Sequence, residues 1–595
     1  MCGFLGKISL DSFSDEDLFD ANKRIICRGP DETKFLNQNN LDQGKIFFSF
    51  VFNRLSIIDL TDTASQPMVS NNKENLMMFN GEIYNYKELK EILLSKGVTF
   101  NSKNSDTEVL LEGLSIFGLD FINNIIGQFA IAFYEIKNKK IHLIRDRVGQ
   151  KPLFFNLSDR SLVFGSNLIS VADLSGYKQI DDKEIGNFFN YGVIKSPNTI
   201  YKNIYKLKPA EIITFNLEKN LQAQNHIYWS PTDEVDEKTF IDDEFYELFS
   251  SSINYRLESD VPVANFLSGG IDSSSIIKNL FDNKKNINTF SAIYSDNKYD
   301  ESFWIESVKE KYKTNHFQEK LDLNFDFNTL LDVINIFDEP YCDPSIVPSF
   351  ILSRLISTKY KVAISGDGGD ELLGGYLRTS LSLDTPNKFK ELYSKIYPFY
   401  PSFLGTGNHF LKNKRSISDR YASFFEDRKL MSIIGIDDYS EFKNEIFVNL
   451  EDEYKSLLAT DYNFYLPEMM MLKVDRTSMA NSLEVRSPFV DHRLIEYVMS
   501  HDTNYFDTTN QKLLLKKYLS DDFNDDFINR RKMGFVFNLE SFIFSNLDKI
   551  KQHLTQNNQH LENNLDILRK LSKNKSRINA IRILKLIIFA EFTKV

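Results

Sequence analysis

The sequence predicts a multi-domain α/β protein: an N-terminal α+β domain of stacked sheets flanked by helices, then a C-terminal domain on a doubly wound parallel sheet with a helical end. Three observations predict it. The chain has 595 residues, more than one hydrophobic core can serve. Short β-like runs dominate up to about residue 211, whereas strands alternate with helical patterns beyond residue 243, the mark of a parallel sheet. Glycine-rich strings directly follow two of those later strands, where open parallel sheets bind ligands.

In the first domain, residues 1–211, the β-like runs are Ile46 to Phe52, Leu76 to Phe79, Phe129 to Ile136 and Ile141 to Ile144, with helical patterns over Tyr86 to Ser95 and Thr107 to Phe117. A polar, acidic stretch, residues 212–243, carries Trp229 and Pro231 without sustained periodicity and is expected to be a linker. In the second domain, residues 244–595, helix is expected over Phe245 to Tyr255, strand over Val261 to Leu267, helix over Ser273 to Leu280, and strands over Ile287 to Tyr294 and Lys361 to Ser365. From about Pro386 the pattern is largely helical.

Composition narrows the function. Hydrophobic content of 42% with 26% charged residues suits chains that fold throughout. A net charge of −12 excludes a nucleic-acid-coating surface, which needs clustered Lys and Arg, so small-molecule substrates are expected. The cysteines, Cys2, Cys27 and Cys342, have no paired spacing for zinc or a disulfide framework and point to a reducing cytoplasm. No basic segment followed by an apolar core opens the chain, so no secretory leader is expected. The apolar stretch Ile583 to Phe592 is interrupted by Lys585 and is far shorter than the roughly 20 residues that cross a bilayer.

Ser268-Gly269-Gly270-Ile271-Asp272-Ser273-Ser274 follows an apolar strand and opens a helix. Glycines allow close backbone approach, and a helix start offers unpaired N–H groups and a positive dipole end to a phosphate. No Gly-Lys-Ser/Thr follows, which disfavours a kinase or GTPase mechanism. A second string, Ser365-Gly366-Asp367-Gly368-Gly369-Asp370-Glu371, again follows a strand and leads to Gly374-Gly375-Tyr376. Asp272 and Asp370 then stand at strand ends, where two carboxylates suit Mg²⁺ bridging ATP phosphates. Charged residues among apolar neighbours recur in Leu472-Lys473-Val474-Asp475-Arg476-Thr477-Ser478-Met479, Leu483-Glu484-Val485-Arg486-Ser487-Pro488-Phe489 and Arg531-Lys532-Met533-Gly534-Phe535. A lysine beside such a glycine could steady charge as a carbonyl carbon is attacked.

At the other end, Cys2 follows Met1, and removal of Met1 is expected before so small a side chain. The α-amine, with a reference pKa of about 7.7–8.0, could then act as base for its own thiol. Alone, Met-Cys carries little weight. It gains weight from Arg28-Gly29-Pro30-Asp31, Arg54-Leu55-Ser56-Ile57-Ile58-Asp59, Gln66-Pro67, Asn80-Gly81-Glu82-Ile83-Tyr84-Asn85 and Ser105-Asp106-Thr107-Glu108. Arg54 could grip a carboxylate bidentately, Asp106 and Glu82 could receive an ammonium, and Asn80 with the Gly81 N–H would suit an oxyanion hole.

These first-domain strings, in this order, resemble the glutaminase domain of class II, or N-terminal-nucleophile, amidotransferases, and the Ser268 string resembles the pyrophosphate loop of ATP pyrophosphatases. The order of the two resembles that of glutamine-hydrolysing asparagine synthetases, and the similarity runs through Arg145-Asp146-Arg147-Val148-Gly149-Gln150-Lys151-Pro152-Leu153 to about Phe535. The resemblance implies a four-layer αββα glutaminase domain with Cys2, Asn80 and Gly81 catalytic and glutamine held by Arg54, Asn80, Gly81, Glu82 and Asp106. It implies ATP at Leu267, Ser268, Gly269, Gly270, Asp272, Ser273, Ala292, Ser365 and Gly366, Mg²⁺ at Asp272 and Asp370, and Lys532 beside the reacting centre. The implied reaction activates an acceptor carboxylate, aspartate foremost, as an adenylate that tunnelled ammonia converts to the amide. A uronic-acid carboxylate of surface-polysaccharide synthesis is the alternative acceptor, and a homodimer is open. The chain departs from the best-known members at Phe52, Asn167, Asp367 and Asn538, of which Asp367 bears on the acceptor side. A non-catalytic protein that kept the fold is disfavoured by the intact set Cys2, Arg54, Asn80, Asp106, Asp272 and Asp370.

Overall fold

Two-residue alternation organises the N-terminal half. In strand Gly3–Ser9, Phe4 and Ile8 enter one buried cluster while Leu5 enters another, and in strand Phe47–Arg54 Phe48, Phe50 and Phe52 part from Val51 in the same way. Each strand therefore needs cover on both faces, which the chain supplies as two stacked antiparallel sheets with helices outside. The computed structural model describes residues 2–37, 46–219, 221–233, 238–294, 300–321, 325–383, 416–439, 441–506, 510–530, 537–557 and 563–594.

The first sheet has the order Ile204–Lys206, Phe154–Leu157, Ser161–Gly165, Gly3–Ser9, Phe47–Arg54, Glu32–Asn37, and the second Gln222–Ile227, Glu211–Asn216, Lys140–Arg145, Gly127–Glu135, Asn75–Ile83, Met68–Val69. Phe4, Phe50 and Phe52 meet Leu76, Met78, Ala130 and Leu143 between the sheets. Helices Tyr86–Ser95 and Asp106–Phe117 cover the outer face of the second sheet through Leu89, Leu93, Val109 and Leu110, and Leu18 with Val171 covers that of the first. This is the expected four-layer arrangement. Glu211–Asn216 and Gln222–Ile227 pair antiparallel as its last hairpin, inside the stretch read as linker. The second of these strands is exposed throughout, so its polar residues carry no apolar alternation to betray it.

The C-terminal half holds a five-stranded parallel sheet of order Asn315–Leu321, Asn288–Tyr294, Val263–Phe266, Val362–Ile364, Glu484–Arg486. From Val263–Phe266 the chain builds outward on one side and then returns to the other, so the switch point lies between Val263–Phe266 and Val362–Ile364. In open parallel sheets a ligand crevice lies outside the carboxyl ends of the strands at such a point, and both glycine strings sit there. Helices, ending with Arg577–Phe592, make up most of the rest of the described C-terminal part. No helix among the described residues is long and apolar enough to cross a membrane.

Buried charges join the halves. Lys206, at the end of the first sheet, places Nζ 2.8 Å from Glu339 and 3.3 Å from Glu468, with all three side chains at most 4% exposed. Glu468 lies in the π-helical stretch Asp461–Met471 and also accepts from Ser196 N at 2.8 Å. Lys206→Ala leaves two buried carboxylates without their ammonium, a loss of about 3–5 kcal/mol. Thermal denaturation is expected to show a clearly lower midpoint, and an unchanged midpoint would show that the clamp does not hold the halves.

Candidate active site

Strand parity also explains why the first-domain candidates meet. Asn80 and Glu82 continue the face of Leu76 and Met78 in strand Asn75–Ile83, Arg54 continues that of Phe48, Phe50 and Phe52, and Cys2 joins the same inter-sheet cluster as Phe4. They lie at one end of the core. Cys2 N donates to Asn80 Oδ1 at 3.1 Å, and the Asn80 Nδ2 group is buried with no hydrogen-bond partner among the described residues. Gln66 fixes this strand by accepting from Phe79 N at 2.6 Å and donating to Phe79 O at 3.1 Å. At position 81 only glycine fits, since a Cβ would come 2.0 Å from Gln128 O.

The Cys2 side chain is nearly enclosed, and burial pushes its thiol pKa up against the opposing pull of the positive amino terminus. Arg54 is held by the carbonyls of Thr61, at 2.9 Å from Nη1, and of Asp59, and sits 3.8 Å from Glu32. Asp106 opens helix Asp106–Phe117, accepting from Ile83 N at 3.0 Å and Thr107 N at 2.7 Å. Burial outweighs those bonds and raises its pKa to about 6. Glu82 is also pushed well up, by burial and by the neighbouring Glu484 and Asp106 carboxylates, and its Oε2 has no hydrogen-bond partner among the described residues. Two neighbouring buried acids suit a cationic group of a ligand.

The second half reaches this site. Arg28 donates from Nε to Cys2 O at 3.1 Å and from both terminal nitrogens to Asp475, at 2.8 and 2.9 Å. Asp475, in helix Leu472–Met479, is held far below the usual carboxylate range, its burial overcome by Arg28 and Arg476. Arg476 in turn grips Asp338 at 2.7 and 2.8 Å. Arg486, wholly buried, pairs with Glu484 at 2.5 Å and lies 3.6 Å from Glu82. The Arg145 string builds a loop: Arg145 donates to the carbonyls of Lys151, Gly149 and Leu207, and Asp146 collects the N–H groups of Val148, Gln150 and Lys151.

At the switch point, Gly270 stands at the start of helix Ile271–Asp282, and Ser268 Oγ bonds Ser273 Oγ at 3.1 Å and accepts from Gly270 N at 3.2 Å. Gly269 takes φ +70°, and a Cβ there would come 2.9 Å from Ile305 N. Leu267 N bonds Phe290 O at 2.9 Å, and Ala292 lies further along the neighbouring strand, Asn288–Tyr294. The two loops touch, since a Cβ on Gly366 would come 3.1 Å from Asp272 Cβ and one on Gly369 2.9 Å from Asp272 Oδ1. Ser365 Oγ is buried with no hydrogen-bond partner among the described residues. Asp272 and Asp370 both face Lys512 Nζ, at 2.5 and 2.6 Å. Lys532 and its Arg531–Phe535 string lie outside the described residues, but the preceding Arg530 donates to Gly269 O at 2.5 Å and pairs with Glu301 at 3.0 Å.

Sequence reasoning did not single out Lys512 as a site residue, because no glycine or strand end marks it. Nor did it pair Arg28 with Asp475, 447 positions away. Three of the four departures have local uses. Phe52 fills the inter-sheet core, Asn167 caps helix Leu168–Ser175 by accepting from Ser170 N at 2.9 Å, and Asn538 caps helix Leu539–Ser545 by accepting from Ser541 N at 3.1 Å. Asp367 is half-buried, and its carbonyl accepts from Ser487 Oγ.

Two family profiles match the chain: one described as asparagine synthase over residues 244–575, the other as a glutamine amidotransferase domain over residues 1–229. Among curated relatives, the glutamine-hydrolyzing asparagine synthetase 1 of Bacillus subtilis is 26% identical over 581 residues, spanning 94% of this chain and 90% of that protein. A Methanocaldococcus jannaschii protein that carries the name glutamine-hydrolyzing asparagine synthetase 2 provisionally is 33% identical over 404 residues, 63% of this chain and 76% of its own. The Bacillus subtilis glutamine-hydrolyzing asparagine synthetase 2 is 28% identical, with 90% of this chain and 72% of that protein covered.

Proposed function

The chain belongs to the asparagine synthase family, and from that premise we propose that it makes asparagine from aspartate, ATP and glutamine at two sites. One observation carries the reading: Asn80 accepts from the Cys2 N–H while its own amide N–H₂ stays buried with no partner among the described residues. A buried donor left unpaired is costly; one aimed where an amide oxygen gains charge is an oxyanion donor.

With Met1 removed, the Cys2 α-amine takes the thiol proton, and the thiolate attacks the side-chain amide carbon of glutamine. Asn80 Nδ2 and the Gly81 N–H stabilise the oxyanion, ammonia leaves with the proton, and water releases glutamate from the γ-glutamyl thioester. Arg54, oriented by the Asp59 and Thr61 carbonyls, binds the substrate α-carboxylate, and Asp106 with Glu82 its ammonium.

At the second site the phosphates lie on the loop Ser268–Ser273 and the start of helix Ile271–Asp282, with the nucleotide against Leu267, Ala292, Ser365 and Gly366. The Asp272 and Asp370 carboxylates converge on one cation position, a donor set that fits Mg²⁺ completed by phosphate and water oxygens. Such an ion screens the phosphate charge. The aspartate side-chain carboxylate attacks the α-phosphorus and pyrophosphate leaves. Ammonia then attacks the acyl carbon, AMP leaves, and the attacking nitrogen gives up a proton to form the neutral amide. The amide product keeps the second oxygen of the original carboxylate.

Purified protein given ATP, Mg²⁺, glutamine and aspartate is expected to form asparagine and AMP in equal amounts, read by mass spectrometry. Glutamine hydrolysis without asparagine would transfer the proposal to another carboxylate, uronic acids first. Cys2→Ala is expected to lose glutaminase activity by about 1,000-fold or more while still forming asparagine from ammonium salts; undiminished hydrolysis of glutamine would refute the thiol's role. Because the Asp106 carboxyl titrates at about 6, protons compete with the substrate ammonium below that pH. The KM for glutamine is expected to fall as pH rises through about 6, by up to about tenfold per unit on the acid side, and Asp106→Asn should remove that inflection.

A further inference from the structure

Lys512 stands where the carboxylate pair would hold its metal. Its Nζ lies 2.6 Å from Asp272 Oδ1, 2.5 Å from Asp272 Oδ2 and 2.6 Å from Asp370 Oδ1, so the two carboxylates, from different loops of the parallel sheet, converge on one ammonium. The lysine side chain is 7% exposed.

Two further features serve the same placement. Lys512 has φ 58° and ψ 38°, a left-handed conformation that a lysine holds only against strain, immediately before helix Leu513–Leu519. Across from it, a Cβ on Gly375 would come 2.1 Å from Lys512 Cε and 2.3 Å from Asp370 Oδ1. The second glycine of Gly374-Gly375-Tyr376 is therefore bare where the lysine side chain passes. A strained backbone on one segment and a missing side chain on another both lead the ammonium to the carboxylates.

The ammonium and a divalent cation cannot share these oxygens. A cation bound at about 2.0–2.1 Å, as Mg²⁺ is, would fall within repulsive contact of a positive nitrogen already 2.5–2.6 Å from the same atoms. We propose that Lys512 is an internal counter-ion that occupies the Asp272 and Asp370 pair in the nucleotide-free enzyme and makes divalent-cation binding conditional on nucleotide. Polyphosphate supplies the anionic partner that lets the ammonium leave the pair. Lys512 is thus a positioning residue, and the inference rests on the reading of Asp272 and Asp370 as metal-binding.

Mn²⁺ binding to the full-length protein, read as loss of the free-ion electron paramagnetic resonance signal, tests it without turnover. Wild type should bind Mn²⁺ at least tenfold more weakly without nucleotide than with a non-hydrolysable ATP analogue. Lys512→Met should bind it at least tenfold more tightly than wild type without nucleotide. In EDTA the variant should melt lower than wild type, because the carboxylates then repel, and recover with Mn²⁺; Lys512→Gln serves if the Met variant does not fold. Nucleotide-free binding by the variant no tighter than wild type overturns the proposal. If Asp272→Asn leaves Mn²⁺ binding with the analogue unchanged, the metal reading of the pair falls instead.

Discussion

Buried opposite charges across the seam between the two halves are the constraint on which the rest depends. Arg28 to Asp475 and Lys206 to Glu339 and Glu468 cross it, while Arg476 to Asp338 and Arg486 to Glu484 brace the second half's side, and all are almost free of solvent. Such pairs recover little more than the desolvation of their members, so their yield is specificity of docking more than stability. The two that cross are satisfied only when both halves are present in one register. The same arginine that grips Asp475 also holds the Cys2 carbonyl, and the same arginine that pairs with Glu484 faces Glu82. The first site is thus finished by residues of the second half.

Within that frame each site follows from a simple rule of secondary structure. Two-residue parity in three strands brings Cys2, Arg54, Asn80 and Glu82 to one end of the inter-sheet core, and a helix start beside it adds Asp106. In the parallel sheet, the outward and return path of the chain leaves a crevice beside Val263–Phe266 and Val362–Ile364. Glycines at 366 and 369 let the second loop close on Asp272, and Gly269 lets the first pass close to Trp304 and Ile305.

The seam accounts for residues that a motif reading treats as equal. In Leu472-Lys473-Val474-Asp475-Arg476, Asp475 and Arg476 pair across or beside the seam, whereas Lys473 pairs with Asp343 at 3.5 Å and donates to Ser345 Oγ at 3.0 Å. The Arg145 to Leu153 string is likewise architectural, its arginine and aspartate used on the backbone of their own loop and its neighbours.

The sequence by itself determined the two architectures, the main strands and helices, and most of the candidate residues. Those features are local: an apolar period of two, a helix after a glycine string, a thiol next to the initiator methionine. It missed the exposed strand Gln222–Ile227, whose polar residues bury no face and so leave no period. Tertiary structure alone decided which charges are partners and which are free to meet a ligand. Arg28 and Asp475, or Lys512 and Asp272, lie hundreds of residues apart and have no shared pattern. Ion pairing depends on the separation of atoms after burial, and a linear spacing does not carry that distance.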